Sequence, residues 1–142
     1  VTDATAALLN RMTEFPLHQH LGFELVEARD GIATGRCSVG PNQLNAGGVL
    51  HGGVLYALLD ITSYCAAVTV LPPGRNVVTH DLHVQVLRHG PPGSQIHFAA
   101  SVRKAGKRVM FLDCEAHLGD ADGPVLALAR VTKSLVPMPV GA

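Results

Sequence analysis

Residues 54–71 constrain the fold more than any other part of the chain. They form an almost unbroken apolar run, opened by His51-Gly52-Gly53 and closed by Pro72-Pro73-Gly74, with one carboxylate, Asp60, near the middle. Between Val49 and Gly74 there is no other acid and no Lys or Arg. The length approaches that of a membrane span. However, an acid at the centre costs about 2.5–3.5 kcal/mol on insertion scales, Thr62, Ser63 and Thr69 add polarity, and basic flanks are missing. The run therefore reads as a core helix that Pro-Pro-Gly stops. Burial without a partner disfavours a charged carboxylate, so a fold that keeps Asp60 must offer it donors, water or a reaction.

Around this helix the hydrophobic period is two. Residues 23–28 and 32–39 read as strands joined by the turn signal Asp30-Gly31. After the helix, Val78, His80, Leu82, Val84 and Val86 alternate with Thr79, Asp81, His83 and Gln85. Past the turn Gly90-Pro91-Pro92-Gly93, Ile96, Phe98, Ala100 and Val102 alternate again. Lys104-Ala105-Gly106-Lys107 makes a hairpin, and Met110, Leu112, Cys114 and Ala116 return from it. Residues 120–124 turn the chain into a last strand over residues 125–136, and Pro137 and Pro139 mark a frayed tail. At the other end, Thr2 is placed to cap a short helix through Met12 that Pro16 ends.

Helix, two strands, long helix, four strands is the order of an α+β domain in which an antiparallel sheet buries the helix on one face. The 142 residues suit one domain, residues 1–142. Such a sheet leaves its edges open, and with 47% hydrophobic against 15% charged residues the surface is sparsely charged for a small monomer. Both features predict pairing with a second copy.

Eleven basic against eleven acidic side chains give no net field, which argues against nucleic-acid or polybasic membrane binding. Cys37, Cys65 and Cys114 are odd in number and lack a CxxC pair, as expected of a reducing, cytoplasmic setting, and the first twelve residues do not read as a secretory leader. His18 with His20, or His80 with His83, lack the further ligands of a metal site, so no metal is expected. There is no G-x-S-x-G elbow for a serine nucleophile.

The stretch Asn45-Ala46-Gly47-Gly48-Val49-Leu50-His51-Gly52-Gly53, with Asp60 nine positions after the histidine, resembles the signature of hotdog-fold acyl-CoA thioesterases. These are the phenylacetyl-CoA (PaaI) type within the 4-hydroxybenzoyl-CoA thioesterase superfamily. The element order, Pro72-Pro73-Gly74, residues 82–88 and Ala105-Gly106-Lys107 fit the same pattern. The resemblance implies a hotdog fold and hydrolysis of an acyl-CoA, aromatic or short to medium in chain, to free acid and coenzyme A. It implies no cofactor besides the coenzyme A of the substrate, and a homodimer or homotetramer with sites at the dimer interface. The acyl group itself is not specified, because members act on aromatic, medium and long chains with one motif. A non-catalytic acyl-CoA binding or sensing module is the alternative, against which the retention of Asn45 and Asp60 weighs. A hydratase would call for a differently placed His and acid pair.

Thioester hydrolysis needs a nucleophile or activated water, donors where the carbonyl oxygen gains charge, and a hold on the leaving thiol. Gly52 and Gly53 let the backbone approach a substrate, and the Gly52 amide falls at a helix start, where free N–H groups favour an oxyanion. The alternative for Gly52 is tight packing of the helix start. By resemblance, Asp60 is base or nucleophile and Thr79 holds the attacking water, both from one subunit, while Asn45, His51 and Gly52 come from the other. Thr79 also reads as an ordinary strand threonine, Asn45 as a loop residue closing its own turn, and His51 as a supporting group.

Tyr56, Asp60 and Tyr64 are spaced four apart on one helical stripe with Ser63 beside them, as acyl-pocket residues or as core filling. Many relatives carry small residues near the position of Tyr64, which points to a smaller pocket here. For the nucleotide end of coenzyme A, the resemblance places Lys104, Gly106, Lys107 and Arg108 of the hairpin with Arg88, His89 and Ser134. A solvated basic turn is the other reading of that hairpin.

Overall fold

The computed structural model describes residues 2–139; Val1 and residues 140–142, the ends of the expected single domain, lie outside it. The apolar run folds as α3 (Gly52–Val68), whose side chains at Leu55, Leu58, Leu59, Thr62, Cys65 and Ala66 are buried. The helix stops three residues earlier than the expected end at residue 71. There the Thr69 hydroxyl donates to the Ala66 carbonyl (2.8 Å) and accepts the Gly31 N–H (2.7 Å), tying the helix end to a distant turn.

Six strands form one antiparallel sheet: β1 (Glu24–Arg29), β2 (Ile32–Ser38), β3 (Arg75–Val86), β4 (Gln95–Ala105), β5 (Val109–Leu118) and β6 (Val125–Pro137), ordered β1-β2-β4-β5-β6-β3. The inward row Ile96, Phe98, Ala100 on β4 and Met110, Leu112, Cys114, Ala116 on β5 joins α3 in one core. This is the hotdog arrangement that the resemblance implies: one long helix wrapped by an antiparallel sheet, with helical structure at the amino terminus. Asp30 (φ 49°) and Gly31 (φ 78°) make the tight turn between β1 and β2 with left-handed backbone at both central positions.

Three local expectations are corrected. First, Pro16 does not simply end a helix. α1 (Asp3–Glu14), capped by Thr2, is followed at once by α2 (Pro16–Leu21), with the proline in the first turn where its missing N–H costs nothing. Secondly, the tail does not fray at Pro137. That residue closes the ladder opposite Arg75, beyond the reach of β5, and the Met138 N–H donates to the Gly74 carbonyl at 3.0 Å.

Thirdly, β3 does not keep one face throughout. A β-bulge between Thr79 and Asp81 makes His80 an extra residue, so Val77 (3% exposed) and Thr79 face inward before it, and Leu82 and Val84 after it. Val78, in the same row as Leu82 and Val84 in the expected alternation, is 49% exposed. Bulges recur beside functional sites because they re-aim a side chain; here the re-aimed side chain is Thr79.

β3 is an open sheet edge bearing exposed Val78 and Val86. No helix among the described residues is long and apolar enough to cross a membrane.

Leu59, fully buried beside Asp60, helps fasten α3 to the sheet. Leu59→Ala is expected to lower unfolding free energy by about 2–5 kcal/mol, the usual cost of a core cavity. Urea denaturation should show this as a lower midpoint with an unchanged slope.

Candidate active site

Asp60 finds its partner far along the chain. β6 points Ala127, Ala129, Val131, Lys133 and Leu135 into the core, and Lys133 stands directly opposite Thr79 in the ladder. Lys133 Nζ donates to Asp60 Oδ1 at 3.0 Å and to Thr79 Oγ1 at 2.6 Å, and the Thr79 hydroxyl donates to the same Asp60 Oδ1 at 2.6 Å. Among the described residues nothing donates to Oδ2. The Lys133 side chain is 1% exposed, whereas that of Asp60 is 37% exposed. One carboxylate oxygen is thus pinned from inside while the acid remains open to solvent.

Burial pulls the Lys133 ammonium below its ordinary value of 10.5, and the charge of Asp60 only partly offsets this. The unfolded chain binds the proton more tightly than the folded one does. The charged lysine therefore costs stability at neutral pH, and the cost shrinks as pH rises towards 10.5.

Sequence reasoning missed Lys133. Its signal was the strict alternation of β6, in which a lysine occupies an inward position between Val131 and Leu135.

Asp60, Thr79 and Lys133 border a cleft of about 440 Å³ whose other walls include Met12, Phe15, Ile61, Tyr64 and Val77. The Tyr64 hydroxyl donates to Asn76 Oδ1 at 2.8 Å, and burial raises its pKa. The expected stripe is not a single pocket wall. Tyr56 is exposed and lies towards Gly52, away from this cleft. Ser63 is a correction: it is fully buried with its hydroxyl donating to the Asp60 backbone carbonyl (2.7 Å), so it does not meet a substrate there.

A second cleft of about 310 Å³ contains Asn45, Gly52, Leu55, Val86, Arg88 and His89. Asn45 Oδ1 accepts the N–H groups of Gly47 (2.9 Å) and Val49 (3.2 Å), which orients the side chain, and its NH₂ group has no acceptor among the described residues. His51 caps α3, with Nδ1 accepting the Gly53 N–H at 2.8 Å. A Cβ on Gly53 would press on that ring at 3.0 Å. The Gly52 amide has no acceptor among the described residues. A Cβ at Gly52 would meet only Tyr56, at 4.0 Å, so tight packing within the chain does not explain this glycine.

Asn45, His51 and Gly52 therefore do not converge on Asp60 and Thr79 within one chain. Eight residues of helix, about 12 Å, separate Gly52 from Asp60. The residues expected to bind coenzyme A are divided in the same way. Arg88, whose Nε donates to the Val125 carbonyl at 2.8 Å, and His89 lie at the Gly52 end. Lys104, Gly106, Lys107 and Arg108 occupy the β4–β5 turn, near Ser134, whose hydroxyl is 2.6 Å from His80 Nδ1. Gly106 is required by the hairpin itself, since a Cβ there would lie 2.7 Å from the Val109 carbonyl oxygen. Among the described residues no group of three His, Cys, Asp or Glu side chains could hold a metal ion.

A hotdog protein with a half-anchored carboxylate beside an apolar cleft is the class that this geometry defines. The chain belongs to the thioesterase superfamily, whose family model matches residues 47–125. A putative esterase of Caenorhabditis elegans is 35% identical over 95 residues, 66% of this chain and 54% of that protein; the match thus spans about half of the relative. The PaaI protein of the Escherichia coli phenylacetic acid degradation operon superposes with a TM-score of 0.82 at 24% identity, covering 93% of each chain. A hypothetical thioesterase of Streptococcus pneumoniae, solved with coenzyme A, superposes with a TM-score of 0.74 at 22% identity, covering 82% of this chain and 90% of that one.

The thiols are not candidates for a nucleophile. Cys37, Cys65 and Cys114 are buried, and burial pushes Cys37 up to about 11, Cys65 to about 12 and Cys114 higher still. Iodoacetamide at mildly alkaline pH is expected to leave the native protein unmodified by mass spectrometry and to alkylate all three cysteines once it is unfolded.

Proposed function

We propose that this chain, as a single domain over residues 1–142, is an acyl-CoA thioesterase that releases the free acid and coenzyme A. The observation that carries the reading is the Asp60 carboxylate, held through Oδ1 by Thr79 and Lys133 with Oδ2 unbonded at an apolar cleft. Such an oxygen can take a proton from water or attack the thioester carbon directly. The carbonyl oxygen then gains charge, which the unpaired Gly52 amide at the helix start and the free Asn45 NH₂ group are suited to stabilise. His51 supports that loop through its cap to Gly53. Since the Thr79 proton goes to Asp60, the primary role of Thr79 is to orient the carboxylate, and water can reach it only as a donor.

Gly52 and Asp60 lie in different clefts, so the complete site calls for two copies. The open β3 edge, with exposed Val78 and Val86, is the surface we assign to that pairing, as homodimer or homotetramer. It would also join Arg88 and His89 of one copy to Lys104, Lys107, Arg108 and Ser134 of the other around the nucleotide. The cleft walls Met12, Phe15, Ile61, Tyr64 and Val77 favour an aromatic or short to medium acyl group. The coenzyme A complex of the pneumococcal protein and the phenylacetic acid operon of the PaaI protein lend support to substrate class and acyl type.

Wild type is expected to hydrolyse part of an acyl-CoA panel running from acetyl to palmitoyl with phenylacetyl and benzoyl, and folded Asp60→Asn to lose that activity. Tight binding without turnover by either protein would replace this reading with that of an acyl-CoA binding module.

Gly52→Ala separates chemistry from packing. Because a Cβ there meets open space within the chain, stability should hold or rise by about 0.4–1 kcal/mol. The rate constant should nevertheless fall, by up to about 100-fold, because the added methyl crowds the approach of the substrate carbonyl to the retained amide. Thermal melts and steady-state kinetics on one preparation test both halves.

A further inference from the structure

We propose that Lys133 is the positioning residue for Asp60: with the Thr79 hydroxyl it pins Oδ1, sets a cation beside the carboxylate, and leaves Oδ2 as the oxygen without a donor among the described residues, free to act in the cleft. The inference rests on the thioesterase reading of that cleft and adds a residue to it.

Lys133 donates to Asp60 and Thr79 at 3.0 and 2.6 Å, and its ammonium lies 5.9 Å from the Tyr64 ring centroid. Although Lys133 borders the cleft, its side chain is 1% exposed and both hydrogen bonds from its ammonium go to Asp60 and Thr79, so it acts through these two partners. Stability does not account for it. Desolvating an ammonium is expensive, and well-packed apolar side chains often serve such a buried position as well or better. A lysine kept there is explained by what it does to the carboxylate. A cation next to an acid favours its charged form. Two donors on one oxygen also restrict the carboxylate to one orientation, which is what a reacting group needs. Lys133 lies outside residues 47–125, which the family model matches.

The groups facing Lys133 are Asp60, Tyr64 and Cys65 from α3, Thr79 from β3 and Cys114 from β5. His18 of α2 borders the same cleft, its Nδ1 2.7 Å from the Met12 carbonyl oxygen. The test therefore observes the Asp60 carboxyl itself.

The experiment is a ¹³C NMR titration of the Asp60 carboxyl in wild type, Lys133→Met and Lys133→Gln, with pH–rate profiles on an acyl-CoA that wild type turns over. In Lys133→Met the carboxyl midpoint and the acid limb of kcat/KM should both move up, because the adjacent cation is gone. Its kcat should fall about 100-fold with KM little changed, as for a reacting group misplaced by an ångström. Lys133→Gln, which keeps donors without charge, should recover part of kcat but retain the raised acid limb; it also carries the test if Lys133→Met does not fold. A folded variant with an unmoved carboxyl midpoint overturns the proposal, whatever its activity. If wild type hydrolyses no thioester but the midpoint shifts as described, the thioesterase reading falls and the control of Asp60 by Lys133 stands.

Discussion

A lysine buried within a sheet facing a helix is the interaction on which the rest of the site depends. Lys133 has exchanged water for one carboxylate oxygen and one hydroxyl, and both must stay within about 3 Å of its ammonium. That requirement links three elements separated in sequence: the middle of α3, the start of β3 and the end of β6. Removing the acid would leave an unpaired buried charge, and removing the lysine would leave an acid with one donor in a largely apolar wall. The ion pair therefore ties the packing of the helix to the chemistry of the cleft.

The bulge at His80 is what allows the arrangement. With an unbroken period of two, a strand that buries Leu82 and Val84 would turn Thr79 outward. The extra residue inverts the pattern, so Val77 joins the core and Thr79 meets Asp60 and Lys133. One irregular residue thus reconciles two demands on β3, an apolar inner face along its length and a polar contact at one point.

At the helix start, the loop satisfies its own polar groups in a way that leaves particular ones free. Asn45 uses its carbonyl for two loop amides and His51 uses Nδ1 for Gly53, while the Asn45 NH₂ group and the Gly52 amide have no partner among the described residues. Both are rigidly held donors, and both lie away from the acid of the same chain. Their separation from Asp60 at another cleft is the physical reason for proposing that the active form is an assembly of copies.

The chain by itself determined the central helix, the strand periods and the turns at Asp30-Gly31 and residues 90–93, because these follow from local patterning and backbone preference. It also marked Asp60 and Gly52, since an acid in an apolar helix and a glycine-rich helix start stand out without coordinates, while Asn45 was picked out only by the resemblance of its motif. Tertiary structure alone decided which groups meet. Lys133 lies 73 residues from Asp60, and its inward position in β6 was legible while its partner was not. The bulge that turns Thr79 inward arises from the pairing of β3 with β6, which no single strand encodes. Ser63 was assigned to the pocket by helical spacing, but it is buried against the backbone because the face of a helix that meets solvent is set by what packs on the other side.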